Sequence, residues 1–177
     1  MKTDPIDVLI VGAGASGAAV AWSLADTKMR IVCMDQGGTP DPTQFPANFM
    51  DWEERRNGPD HISPNIRKAP SDYPINDDGS PIKVVNYNGV GGGTVLFAGH
   101  FPRLHPSDFK VKTLDGVADD WPIDYQTLEP FFAINDRMMG VSGLPGDTAY
   151  PADRNNQMPP VPLGKSGEAL AKGFNKL

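Results

Sequence analysis

Three glycines near the start of the chain have the spacing of a turn that cradles a phosphate. They are Gly12, Gly14 and Gly17, in the pattern Gly-x-Gly-x-x-Gly, with Ala15 and Ser16 between the last two. In such a turn the first glycine permits a sharp bend, the second lets a phosphate approach the backbone, and the third lets a helix lie against a strand. The free N–H groups and the positive end of that helix then face the anion. The pattern predicts a site for the pyrophosphate of a dinucleotide.

A carboxylate follows the glycines where the ribose of such a ligand would lie. Asp35 follows Gly17 at close to the spacing of about 20 residues that is expected of the acid that binds a ribose hydroxyl. A carboxylate accepts hydrogen bonds from ribose hydroxyls and repels a 2′-phosphate, so adenosine without that phosphate is favoured. Gln36, the next residue, is a further candidate for contact with the ligand.

The surrounding elements fit a strand–helix–strand unit. A continuous apolar run at 6–11 predicts a first strand covered on both faces, and an alanine-rich segment at 15–26 predicts a helix. The second strand is expected at 30–34, and Cys33 in its middle is expected to be a small buried hydrophobe rather than a reactive thiol. The sequence therefore predicts an α/β, Rossmann-like FAD/NAD(P)-binding fold, a parallel sheet with helices.

A second cluster of glycines lies farther along the chain. A short strand is predicted at 83–87, and it leads into three consecutive glycines, Gly91–Gly93, which are followed by Thr94. This order indicates another close approach of the backbone to a ligand, and then a helical turn. A mobile glycine loop is the alternative on local grounds. The apolar residues on either side favour the structured site.

Composition and charge exclude several classes of function. The chain has 177 residues and a net charge of −6, and the acidic balance argues against a nucleic acid partner. It has no run of about 18 apolar residues, so no transmembrane helix is expected. The start of the chain has no basic leader, so a cytoplasmic location is the default expectation. The pairs Arg55-Arg56 and Arg67-Lys68 are expected to be solvated surface.

A long segment after the second predicted strand, 37–81, is rich in proline, asparagine, aspartate and glycine. Long loops inside compact domains are more often functional than idle. A short helix is expected within it at 49–56. His100 and His105 have no cysteine or nearby acid at metal-ligand spacing, so packing and hydrogen bonding are their expected roles, with no metal site.

Helices are also expected nearer the end of the chain. Asp124 is predicted to cap a helix that reaches Met139, with the main helix starting near Glu129 after a short first turn. Phe131 and Met138 are expected in the core, together with Phe132 and the residues up to Val141. A proline-rich connector at 159–162 precedes another predicted helix at 168–177.

Taken in order, these motifs resemble the glucose–methanol–choline (GMC) oxidoreductases, which are FAD-dependent. The resemblance covers roughly residues 6–140, and the second glycine block is far more specific than the first. The matching blocks are Val11–Gly17 with Asp35, Gly89–Thr94, His100–Phe109, Asp120–Tyr125 and Leu128–Phe132. In that family the first motif holds the FAD pyrophosphate, and the second lies near the isoalloxazine ring. The further contacts that the resemblance implies are Val90, Gly91, Gly92, Gly93, Thr94, Leu96, Phe97 and Ala98.

The chain departs from the family pattern at a few positions. Tyr87 stands where a small residue is usual, and Phe97 stands where many members have asparagine. Asp35 replaces the more common glutamate, and either carboxylate accepts from ribose hydroxyls. Leu96 occupies the place where some relatives carry a histidine tethered to the flavin. Since leucine has no nucleophile, non-covalent FAD is expected.

The resemblance implies oxidation of a CH–OH group of a small-molecule alcohol, sugar or polyol, with hydride transfer to flavin N5 and electrons passed to oxygen or another acceptor. Its catalytic histidine lies downstream of the matched blocks, so no residue here is assigned a catalytic role. Because members of that family are much longer, the chain is expected to be an N-terminal fragment, with its fold incomplete at the C-terminus. Residues 1–140 would form part of the FAD-binding domain, with a long insertion at about 37–82, and 141–177 a connector and the start of a truncated helix. The isolated fragment is expected to be inactive, and to aggregate or bind FAD poorly.

Two alternatives to this reading stay open. One is a different dinucleotide-binding flavoprotein or an NAD(P)-dependent dehydrogenase, although such an enzyme has no need of the second glycine block. The other is a non-catalytic FAD-binding fragment or subunit.

Overall fold

The computed structural model describes residues 5–151 and 157–176. The chain divides into two compact units, Met1–Gly99 and His100–Leu177. The first unit is built around a pair of parallel strands, and the second around a long helix. The predicted cofactor-domain boundary at residue 140 stays a prediction.

The first unit opens with the predicted strand–helix–strand. Strand β1 spans Val8–Val11, helix α1 spans Ala15–Ser23, and strand β2 spans Ile31–Met34. The strands pair in parallel, so the chain must cross over between them, and α1 lies in that crossover. The architecture is therefore α/β with a small parallel sheet, compatible with part of a Rossmann-like fold.

The strands are less covered than the sequence predicts. Ile10 is buried, but Val11 is 82% exposed, and Leu9 is exposed as well. Cys33, which lies opposite Ile10 in the register, is also exposed, so the prediction of a buried cysteine is wrong. The physical reason is the size of the sheet. Among the described residues β1 pairs with β2 alone and α1 is the helix that contacts them, so much of this small sheet has nothing packed on it.

The long segment after β2 contains several short elements. Single 3₁₀ turns at Pro42–Gln44 and Pro46–Asn48 precede helix α2, Trp52–Arg55, which confirms the predicted short helix. Helix α3, Pro64–Arg67, was not predicted. Both α2 and α3 have only four residues, so their stability comes from contacts with the rest of the unit rather than from helix propensity.

The strand predicted at 83–87 is wrong. That segment runs without regular structure, and its backbone contact is a hydrogen bond of 3.2 Å from Asn86 N–H to the Ile62 carbonyl. Valine-rich segments form strands only where a neighbouring strand pairs with them, and this one packs against a loop. The helical turn expected after the second glycine cluster is confirmed as a 3₁₀ helix, Gly92–Val95.

The second unit is mostly helical. A 3₁₀ helix at Pro106–Lys110 leads into α4, Val111–Asp115, and α5 spans Tyr125–Met139. Helix α6, Gly164–Phe174, starts four residues earlier than predicted. No helix in the described part of the chain is both long enough and apolar enough to cross a membrane.

Helix α5 confirms its predicted cap but not its predicted start. The Asp124 carboxylate accepts a hydrogen bond of 2.8 Å from the N–H of Thr127. The helix then runs without interruption from Tyr125, with Pro130 inside it, rather than starting near Glu129. The cap satisfies first-turn donors, which lets the helix form ahead of the proline.

The core of the second unit differs from the prediction for α5. Phe109 and Tyr125 are fully buried, and the Tyr125 ring packs against Phe132 with 5.8 Å between centroids. Phe131 and Met138 are exposed, so their prediction as core residues is wrong. Helical geometry gives the reason. Residues three, four or seven positions apart share one face, and Phe131 and Met138 lie on the other.

Candidate functional site

The first glycine motif has a backbone that glycine alone adopts easily. Gly12 has φ of +95°, in the left-handed region. A Cβ on Gly17 would lie only 2.0 Å from the Gly12 carbonyl oxygen, so α1 lies directly against the turn. Gly12 and Gly17 therefore shape the turn in the way that their spacing predicts.

The start of helix α1 is left open for an anion. Gly14 is its N-cap, with no side-chain hydrogen bond to the first turn, and that turn contains no acidic residue. The first-turn N–H groups, which belong to Ala15, Ser16 and Gly17, lie at the positive end of the helix dipole. This arrangement suits a phosphate group.

Asp35 lies beside the turn and is held there by backbone donors. Its Oδ2 accepts from the N–H of Ala13 at 2.8 Å, and its Oδ1 accepts from the N–H of Gly37 at 3.0 Å. The hydrogen bond from Ala13, followed by that from Gly37, holds the pKa of Asp35 below its ordinary value, against a smaller opposing effect of burial. An ionised carboxylate has further lone pairs on each oxygen, which leaves acceptor capacity for ribose hydroxyls. Gln36 beside it is exposed.

The two glycine motifs meet in the structure. The N–H of Gly91 donates to the Ala13 carbonyl at 2.8 Å. A Cβ on Gly92 would lie 2.8 Å from Gly14 Cα, and both Gly91 and Gly92 have positive φ. Two segments far apart in sequence are thus brought into backbone contact, at a distance that side chains would prevent.

The remaining predicted contacts are spread around the second motif. The Thr94 hydroxyl donates to the Gly91 carbonyl at 2.5 Å and closes the turn. Gly93 is exposed, and a Cβ there would meet nothing within 4 Å. Val90, Phe97 and Ala98 are exposed, and Leu96 is half-buried.

A cavity of about 230 Å³ lies beside the second motif. Leu96 and Val95 form part of its wall, and Tyr87 contributes an aromatic ring. Residues of the long segment, including Phe45 and Arg67, complete it. Of the predicted contacts, Leu96 lines this cavity, while Phe97 and Ala98 do not.

A buried ion pair that no sequence pattern predicted lies beside this cavity. Arg67 Nε lies 2.9 Å from Asp72 Oδ2, and the side chains of the two residues are 6% and 4% exposed. The prediction of Arg67 as solvated surface is therefore wrong. Burial raises the pKa of Asp72, but the hydrogen bonds from Arg67 and the N–H of Ala69, with the Arg67 charge, outweigh it and lower that pKa overall.

The neighbouring arginine pair is also less solvated than expected. Arg55 Nε lies 2.6 Å from Asp60 Oδ2, and the Arg55 guanidinium lies 3.9 Å from the centroid of the Phe49 ring. Arg56 is exposed, as predicted. In both pairs the arginine meets an aspartate five positions later, a spacing that is not itself a motif.

The second unit contains a polar cluster centred on Arg103, from the block His100–Phe109. Arg103 is buried, and its guanidinium lies 2.7 Å from Asp136 and donates to Tyr125 and Glu129 at 3.0 Å each. Burial lowers the pKa of Arg103, but these hydrogen bonds and the Asp136 charge raise it overall. The cluster ties the block to α5. It was not predicted.

The histidines have separate surroundings. The His105 ring packs against the Tyr150 ring, with 4.7 Å between centroids, and the backbone N–H of His105 donates to the Asp108 carboxylate at 2.6 Å. His100 is exposed. Among the residues that the structure describes, no group of histidine, cysteine, aspartate or glutamate is arranged to hold a metal ion.

The fold is thus an α/β unit, compatible with part of a Rossmann-like fold, in which two glycine turns are in contact. Comparison with known proteins goes further, although no family model matches the chain. The chain is 37% identical over 180 residues to 2-methyl-1,2-propanediol dehydrogenase of Mycolicibacterium austroafricanum, covering 99% of this chain and 32% of that protein. It is 29% identical over 191 residues to the fructose dehydrogenase large subunit of Gluconobacter japonicus, covering 99% and 35%.

A third relative is pyridoxine 4-oxidase of Microbacterium luteolum, 27% identical over 151 residues, covering 79% of this chain and 26% of that protein. These relatives are oxidoreductases, and they confirm the resemblance to the glucose–methanol–choline oxidoreductases. The chain is homologous to these oxidoreductases. It spans about a third of the length of the first two relatives.

Proposed function

We propose that this chain binds FAD, non-covalently, as the N-terminal part of a GMC-type oxidoreductase that acts on a CH–OH group of an alcohol, sugar or polyol. The observation that carries the proposal is the hydrogen bond from the Gly91 N–H to the Ala13 carbonyl, which joins the two glycine motifs. A Rossmann unit that binds NAD or NADP needs only the first motif. The oxidoreductase relatives support the same assignment.

The residues of the site fit FAD. The open N-terminus of α1 suits the pyrophosphate, and the ionised Asp35 suits the ribose hydroxyls of an adenosine without a 2′-phosphate. Gly14 and Gly92 lie in close backbone contact, neither carries a side chain, and a Cβ at Gly93 would meet open space. Leu96 offers no atom for a covalent link.

The work of this chain in the reaction is to bind and orient the cofactor. When bound, FAD supplies the acceptor for the hydride that leaves the alcohol carbon. The first-turn amides of α1 and the carboxylate of Asp35 hold the adenosine diphosphate end. The second motif, Gly91–Thr94 with Val90, Leu96, Phe97 and Ala98 around it, contacts the flavin end. The base that takes the hydroxyl proton lies, by the resemblance, in a later part of such enzymes.

The proposal is tested by ligand titration of the protein expressed from its complete gene. FAD, NAD⁺ and NADP⁺ are each titrated by calorimetry, and bound flavin is released by acid precipitation. We expect one FAD to bind and all of it to be released. Binding of NAD⁺ with no binding of FAD would instead support a dehydrogenase.

The proposed reaction is tested separately. The FAD-loaded protein is mixed anaerobically with a panel of alcohols, sugars and polyols, and the visible absorption of the flavin is followed. We expect bleaching by at least one compound. Bound flavin that no compound bleaches would support the non-catalytic FAD-binding alternative.

A further inference from the structure

A buried ion pair in the long segment contacts Asn86, which lies shortly before the second glycine motif. Arg67 ends helix α3, and Lys68 after it has φ of 51°, which reverses the chain. The reversal returns Asp72 to the guanidinium, where Nε and Nη2 donate to its two oxygens at 2.9 and 2.5 Å. This two-pronged geometry fixes the plane of the guanidinium as well as its position.

The rest of the guanidinium holds backbone. Its Nη2 also donates to the Asn86 carbonyl at 3.1 Å, and its Nη1 donates to the His61 carbonyl at 2.9 Å. The Tyr87 ring centroid lies 5.7 Å from the guanidinium carbon. Arg67 therefore fixes the irregular segment where the sequence predicted a strand.

That segment leads directly to the contact between the glycine motifs. A Cβ on Gly37 would lie 1.9 Å from the Asn88 carbonyl oxygen, so the two backbones touch. The N–H of Val90 donates to the Gly38 carbonyl at 3.1 Å, and the next N–H, that of Gly91, donates to Ala13 at 2.8 Å. A displacement of Asn86 would be transmitted along four residues to the first glycine motif.

We propose that Arg67 is a positioning residue for the cofactor site. Asp72 fixes the orientation of the guanidinium, which donates to the Asn86 carbonyl. This hydrogen bond thereby keeps the second glycine motif in contact with the first. Arg67 acts through the backbone of Asn86. The expected effect on FAD affinity rests on the proposed function. The expected effect on the placement of Val90 and Gly91 does not.

Lysine cannot replace this arginine. An ammonium is a point charge without the planar fork, so it cannot hold the carboxylate on two prongs and also direct an N–H at Asn86. Arg67→Lys keeps the positive charge opposite Asp72 and removes the direction. Arg67→Lys therefore tests whether the direction of the hydrogen bond to Asn86 matters, beyond the presence of a positive charge opposite Asp72.

The chain offers a matched control in Arg55. Arg55 also meets an aspartate five positions later, Asp60, in the same long segment. Within the described residues its side-chain contacts are with Asp60 and the Phe49 ring, and none joins it to Asn86 or to a glycine motif. Arg55→Lys thus tests the same arginine-to-lysine change at an ion pair that holds neither Asn86 nor a glycine motif.

The experiment compares Arg67→Lys, Arg67→Met and Arg55→Lys in the protein expressed from its complete gene. Hydrogen exchange is measured at the amides of Val90 and Gly91, without FAD. We expect exchange there to accelerate by about tenfold in both Arg67 variants and to stay unchanged in Arg55→Lys. Arg67→Lys is expected to keep the fold if Arg67→Met does not. Unchanged exchange in Arg67→Lys, or the same acceleration in Arg55→Lys, would overturn the positioning role.

FAD titration of the same variants separates the two proposals. We expect the dissociation constant for FAD to rise by about tenfold in Arg67→Lys and by less than about twofold in Arg55→Lys. Faster exchange with unchanged FAD affinity would overturn the positioning of the cofactor site by Arg67. A parent protein that binds no FAD would overturn the proposed function, and the exchange data would still decide whether Arg67 places the motif.

Discussion

The two glycine motifs reach the same place by different means. The first is shaped by regular backbone, since β1 enters the turn, α1 leaves it, and Asp35 at the end of β2 accepts from the Ala13 N–H. The second has no strand before it. Instead, side chains of the long segment hold the residues that precede it. The main one is Arg67, which pairs with Asp72 and donates to the Asn86 carbonyl.

The two motifs therefore depend on different parts of the sequence for their position. A strand–turn–helix unit is specified locally, because apolar runs and glycine spacing dictate the backbone. The second motif depends on a contact between distant side chains, so single substitutions outside the motif should displace it. Variants that affect one motif and spare the other test this difference.

The largest effect is expected in the first motif, at Gly17. In Gly17→Ala the new Cβ would lie 2.0 Å from the Gly12 carbonyl oxygen, so backbone must move, and the free energy of unfolding should fall by about 3 kcal/mol. Denaturant titration measures this. The control Gly58→Ala adds a Cβ to open space and should change stability by less than about 1 kcal/mol. Equal losses would show that the turn is not fixed by the packing of α1.

The next effect is expected at Asp72. Asp72→Asn leaves the buried Arg67 without its carboxylate and should lower the free energy of unfolding at neutral pH by about 2 kcal/mol. Because the pKa of Asp72 is lowered in the folded state, its contribution is full above its unfolded pKa, about 3.9, and is lost as the pH falls through the lower folded value. Stability measured against pH should therefore fall less steeply below pH about 4 in the variant than in the parent. Identical acid limbs would refute the role of the ion pair.

A smaller effect is expected where the motifs touch. Gly92 has positive φ, and a Cβ there would lie 2.8 Å from Gly14 Cα, so Gly92→Ala should cost about 1–2 kcal/mol. Gly93→Ala is the matched neighbour, since its Cβ would meet nothing within 4 Å. Thermal unfolding of the two variants measures the difference. If Gly93→Ala cost as much, close packing of the turns would not be the cause.

The smallest effect is expected at Asn88. Its Nδ2 donates over long distances, 3.3 Å to the Ser71 carbonyl and 3.5 Å to Asp72 Oδ1. Asn88→Ala should therefore lower the free energy of unfolding by only about 0.5–1 kcal/mol. If denaturant titration gave a loss of unfolding free energy as large as that of Asp72→Asn, Asn88 rather than Arg67 would be the main residue that positions the second motif.

Sequence reasoning succeeded where the backbone pattern is local. The elements β1, α1 and β2, the cap at Asp124 and the helical turn after Gly91 all follow from neighbouring residues. The pairing of Arg67 with Asp72 could not be predicted, because it depends on a left-handed Lys68, and lysine gives no signal of positive φ.

Burial was harder to predict than secondary structure. Cys33 lies in a strand as expected, but its exposure depends on how many strands and helices cover the sheet, which no local pattern determines. Phe131 is predicted in the core, whereas the face of α5 that packs is the one carrying Tyr125 and Asp136. Both errors arise from tertiary context.

In the proposed site both glycine motifs hold one FAD together. Hydrogen exchange of the protein from the complete gene, compared with and without saturating FAD, tests this directly. We expect FAD to slow exchange in both segments, 12–17 and 89–94. Protection of 12–17 alone, with 89–94 unchanged, would contradict it and leave the second motif without a part in cofactor binding.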